Sequence, residues 1–135
     1  AVLAVIYFEF FHEDGPQLFN TPIEEITYVP TIEIIDEDAV SGGGITNRMK
    51  DYIGQAEADF RSLGYHPAKV VVPTGTVREV DFYLDGYAGF IKMIIDRGTA
   101  VSVEDADRMI RYLAGQGITD FQYIDVRLPH KAYWK

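Results

Sequence analysis

Between Thr46 and Gly64, the residues Met49, Tyr52, Ile53, Ala56, Phe60 and Leu63 recur every three or four positions. That period places them on one stripe of an α-helix, and Gly64 stands where a C-terminal cap belongs. A helix with one apolar stripe needs an apolar surface to cover it, so the rest of the chain must supply a sheet or further helices.

Much of the remainder reads with period two. In Val77–Asp85, the side chains of Val80, Phe82 and Leu84 point one way and Glu79, Asp81, Tyr83 and Asp85 the other. Lys69–Pro73 precedes that run across Thr74-Gly75-Thr76, which predicts a hairpin. Ile23–Ile35 also alternates, but Pro30 cannot donate to a ladder, so an edge position, a bulge or two short strands is expected. Ala1–His12 is apolar on both faces and predicts an interior strand, while Asp120–Leu128 predicts the last strand.

Two more helices are expected. Tyr87–Asp96 places Phe90, Ile91 and Ile94 inward and stops at Gly98. The next starts at Ser102, three residues before Asp105 as in a capping box, and carries the stripe Val103, Ala106, Met109, Ile110 and Leu113. The order predicts an α+β fold. Residues 1–135 form a single domain, with a mixed, mostly antiparallel sheet of about five strands, three helices packed on one face and a basic, aromatic C-terminal tail at 129–135.

At 135 residues and 47% apolar content, one sizeable core is the expectation. The absence of Cys removes disulfides, thiolate catalysis and cysteine-ligated metal sites. Ala1–Phe11 is too short for a membrane span and lacks the basic start of a secretory signal. A cytoplasmic protein with no membrane contact is therefore expected.

Charge is unevenly spread. The first basic residue is Arg48, so nine of the 21 acidic residues fall in a segment with no basic one. The other 12 balance the 12 Lys and Arg, and the whole −9 belongs to residues 1–47. Phosphate binding needs a basic stripe, so direct nucleic-acid binding is not expected. A basic protein surface is the expected partner, and one variant is an inhibitor whose acidic face occupies a nucleic-acid-binding protein. Acidic loops that keep a protein soluble explain the same charge.

The sharpest cluster is Asp36-Glu37-Asp38, followed by the Gly42–Gly44 run and Arg48 near a helix start. Carboxylates after a strand can hold Mg, and Gly-rich backbone before a helix can approach a phosphate, so Asp36, Asp38, Gly43 and Arg48 are candidates for a nucleotide-like ligand. The Lys and the spacing of a phosphate loop are absent, and a solvated acidic loop accounts for the same residues. His12 and Asp14 form a weaker metal pair, for which a strand-end His meeting solvent is the plainer account. No nucleophile elbow or acid–base pair stands out, which leans away from an enzyme.

The segment Pro129–Lys135 holds Trp134, the only Trp, together with His130, Lys131 and Lys135. Aromatic and cationic residues together suit an interface, with the acidic third of the same chain or of a second copy as possible surfaces. The leading expectation is a non-enzymatic interaction module, homo-oligomeric, with Asp36, Glu37, Asp38 and Trp134 as contact residues. A small-molecule or nucleotide site with Mg is the alternative.

Overall fold

The computed structural model describes residues 28–38, 44–76 and 78–135. The elements run β1 (Glu33–Asp36), α1 (Asn47–Ser62), β2 (Pro67–Val72), β3 (Glu79–Leu84), β4 (Phe90–Ile94), α2 (Thr99–Gly115), β5 (Tyr123–Asp125) and β6 (Tyr133–Trp134). The six strands form one sheet in the order β1-β2-β3-β4-β5-β6. The α+β class is thereby established.

The pairing repeats. β1 and β2 are parallel and β2 pairs antiparallel with β3; β4 and β5 are parallel and β5 pairs antiparallel with β6. An antiparallel β3–β4 pair joins the two halves, so β4 points the same way as β1. Both helical crossovers therefore leave strands of one direction and step the same way through the sheet. A common right-handed crossover puts both helices on one face, and α1 and α2 do pack against each other. With two of five pairings parallel, the sheet is more evenly mixed than the expected mostly antiparallel one.

The core lies between that face and the helices. Ile53 and Phe60 of α1, Val103 and Leu113 of α2, and Val70, Val80, Phe82, Ile91, Met93 and Ile124 of the strands are fully buried. Phe60 meets Phe82 at a ring-centroid distance of 5.3 Å. Burying a ring such as Phe60 contributes roughly 1.5–3 kcal/mol.

Three expectations are corrected. Residues 87–96 do not form a helix: Phe90–Ile94 is β4, with Ile91 and Met93 inward and Phe90, Lys92 and Ile94 on the other face. A five-residue run with four apolar residues fits either period, and here pairing on both sides decides for a strand. Two helices thus stand where three were expected, among the described residues. Ser102 is not a cap: α2 starts at Thr99, and the buried Ser102 hydroxyl donates to the Gly98 carbonyl at 2.9 Å from within the helix. The segment 129–135 packs against its own sheet, since Tyr133 and Trp134 form β6 against β5. The strand expected at Ala1–His12 lies outside the described residues.

A strap crosses α1 ahead of β1. Glu57, buried on α1, accepts bonds from the Thr31 amide at 2.8 Å, the Ile32 amide at 3.2 Å and the Thr31 hydroxyl. Gly54 permits the approach, because a Cβ there would lie 2.6 Å from the Tyr28 carbonyl oxygen. Of the expected Ile23–Ile35 strand, residues 23–27 lie outside the described residues, Pro30 lies in the strap and Glu33–Asp36 forms β1.

Candidate functional site

The acidic cluster closes a turn. Asp36 ends β1, and its Oδ1 accepts the Asp38 amide at 3.0 Å. Glu37 Oε1 accepts the Thr74 amide at 3.1 Å, and Asp38 Oδ2 accepts the Gly75 amide at 3.0 Å. These two carboxylates cap the β2–β3 hairpin turn, where Gly75 has a φ of +79° that favours glycine.

Asp36, Asp38, Gly44 and Thr46 do share one cleft, together with Met49 and Thr76, of about 120 Å³. Pockets for drug-sized ligands run to roughly 300–1,000 Å³. Thr46 caps α1 by accepting the Met49 amide at 3.1 Å. Arg48 is not brought into the cleft; it reaches Asp96 at 3.5 Å, which also binds Arg78 at 2.8 Å. Gly43, His12 and Asp14 lie outside the described residues. Among those described, no group of three or more His, Asp or Glu could hold a metal ion, and no helix is long and apolar enough to cross a membrane.

Trp134 belongs to a different surface. On β6 it pairs with Ile124, and Tyr133 pairs with Asp125, so the two rings fall on opposite faces of the edge strand. Trp134 is 45% exposed, Tyr133 51% and Tyr112 on α2 61%. Tyr112, Met109 and Ala132 line a groove between α2 and the approach to β6, with Asp105, Arg108, His130 and Lys131 around them. Its volume is about 440 Å³. β6 is the last strand of the sheet among the described residues, so its outer N–H and C=O groups form an unused edge.

The face of the sheet away from the helices carries two rows read across the strands. One runs Lys69, Tyr83, Phe90, Tyr123. Tyr83 and Phe90 lie 5.3 Å apart and Phe90 and Tyr123 6.1 Å apart, and the Lys69 ammonium sits 4.7 Å over Tyr83. The other runs Val71, Asp81, Lys92, Asp125, Tyr133.

In that second row the charges are unequally matched. Arg127 reaches Asp125 and Glu79, each at 2.6 Å. Burial pushes the Asp125 carboxyl up, but the bonds from Arg127 outweigh it and hold it below its ordinary value. The Arg127 guanidinium is raised by its hydrogen bonds to Asp125, with Glu79 adding to them. Lys92 sits over the rings of Tyr123 at 4.5 Å and Phe90 at 5.9 Å. Asp81 makes no hydrogen bond or ion pair among the described residues. Burial pushes it up to about 6; Lys92 draws it down, and Glu79 and Glu37 add to the rise.

Alternation identified Asp81 only as one of several carboxylates on a strand face. Its lack of a partner depends on cross-strand register, which the sequence does not carry. Glu57 gave no signal either, being one of three acids, with Asp51 and Asp59, in an amphipathic helix.

No family model matches the chain. Comparison with curated proteins finds no relative.

Proposed function

We propose that the chain is a non-enzymatic protein-interaction module whose main contact is the outer edge of β6 together with the groove beside α2. The observation that carries this reading is the exposure of three large aromatic residues around this edge: Tyr112 in the groove, and Tyr133 and Trp134 on the two faces of β6. Such rings are the residue types that anchor interfaces, and an open strand edge offers backbone hydrogen bonds to an added strand.

Arg108 on the rim is paired with Glu104 and Asp105, which leaves Lys131 as the rim cation, so a segment with apolar side chains and an acidic one near Lys131 suits it. The acidic stretch of a second copy is one such segment, which keeps the homo-oligomer within the proposal. The −9 of residues 1–47 supports a basic protein partner at another surface. The nucleotide-and-Mg alternative draws support only from the shared cleft at Asp36 and Asp38, which is small.

Trp134→Ala tests the reading on the purified chain. Native mass measurements should show complexes with a second copy or a co-purified protein weakened at least tenfold, with the melting temperature preserved. Complexes of unchanged affinity would remove the β6 edge from the account.

A further inference from the structure

The helix-free face of the sheet holds a charge pattern that the β6 edge does not use. Its basic groups are engaged: Arg127 by Asp125 and Glu79, Lys69 over Tyr83, and Lys92 over Tyr123 and Phe90. Asp81 is the carboxylate left over, half-buried and with no hydrogen bond or ion pair among the described residues. Removing a carboxylate from water without a partner is unfavourable, so the site favours an incoming cation.

The neighbours add to that preference. Tyr83 lies two residues along β3 on the same face, and Phe90 is its register partner. The rings of Tyr83 and Phe90 already carry the Lys69 and Lys92 ammonium groups, so the group left to meet an incoming cation is the Asp81 carboxylate. Glu79 and Glu37 extend the negative potential around Asp81.

We propose that this face docks a basic side chain, an arginine or lysine of a protein partner, with Asp81 as its counter-ion. The inference shares with the main reading only that the chain is an interaction module. Its surface shares only Tyr133 with the β6 edge, and the Asp81 and Trp134 variants let either fail alone.

The groups facing Asp81 set the pH behaviour. Lys69 lies on β2, Glu79 and Tyr83 on β3, Lys92 on β4, Asp125 and Arg127 at and just after β5, and Glu37 after β1. Burial pushes the Asp81 carboxyl up to about 6. Cation binding through it should therefore strengthen as pH rises through 6.

The test uses the whole chain and a tetra-arginine amide as probe, with carbon NMR of the side-chain carboxyls to follow Asp81. Saturating peptide should lower the Asp81 midpoint by about one unit. Affinity should rise several-fold between pH 5 and pH 7.5. Asp81→Asn should weaken binding several-fold and flatten that rise, Asp81→Glu should restore both, and Trp134→Ala should change neither. A midpoint unmoved by peptide, or Asp81→Asn binding with the wild-type affinity and pH profile, overturns the proposal. In the latter case the peptide is held elsewhere on the acidic chain.

Discussion

Asp81 and Lys92 are register partners on adjacent strands, yet the Lys92 ammonium lies 4.5 Å above the Tyr123 ring and makes no ion pair with Asp81. Cross-strand pairs of opposite charge ordinarily stabilise a sheet by a few tenths of a kcal/mol. Here the cation is shared with an aromatic row and the carboxylate carries most of its own desolvation.

Stability should therefore fall as pH rises through the Asp81 midpoint. Its folded value is raised from 3.8 to about 6, so the folded state binds the proton more tightly than the unfolded chain. That advantage is full below about pH 4 and is lost by about pH 7. Asp81→Asn should raise stability at pH 7.5 by about 1 kcal/mol, after solvent screening, and have little effect at pH 4.5. Urea midpoints for the two proteins at both pH values check it; equal midpoints throughout would show Asp81 to be well solvated.

Glu57 works in the opposite sense. Burial raises its carboxyl, but the bonds from Thr31 and Ile32 prevail and hold it below its ordinary value. Its contribution is present above the unfolded carboxyl range and is lost as acid protonates the folded group. Glu57→Ala leaves two backbone amides without their acceptor and should cost about 2 kcal/mol. Hydrogen exchange should then show Thr31 and Ile32 losing protection before the core strands do.

Gly54 makes a sharper test of the same strap. A methyl group at 54 would meet the Tyr28 carbonyl oxygen at 2.6 Å, so Gly54→Ala should lift the strap from α1 and destabilise by roughly 1–3 kcal/mol despite the better helix propensity of Ala. A stabilised variant would mean that the strap does not press on the helix.

Glu37 and Asp38 should behave as turn caps. Removing both with Glu37→Gln and Asp38→Asn should cost about 1–2 kcal/mol and speed exchange at Thr74 and Gly75, whose amides they accept. The double variant should leave binding at the β6 edge intact. Loss of that binding with unchanged turn protection would return these acids to the contact surface.

Legibility followed the length and repetition of the pattern. α1 and β3 were plain because a stripe over sixteen residues, or a strict alternation over six, fits one period only. Phe90–Ile94 was not, because four apolar residues in five fit both periods and the deciding hydrogen bonds come from the neighbouring strands β3 and β5. β6 has two residues, too few for any period, and exists only through β5. Ser102 has the composition of a cap, but the crossover geometry starts α2 a turn earlier at Thr99. At the candidate sites, residue type marked Trp134 as a contact, while Asp81 became notable only once register had assigned Arg127 and Lys92 to other partners.

The β6 edge is the centre of the account, and photo-cross-linking in cells that express the whole chain reaches it most directly. A benzophenone side chain in place of Trp134 or Tyr112 is compared with one in place of Val101, which is 49% exposed at the start of α2. The account predicts one shared adduct at 134 and 112 and none at 101, its mass identifying the partner or a second copy. Equal adducts at all three positions, or none at 134, would contradict it.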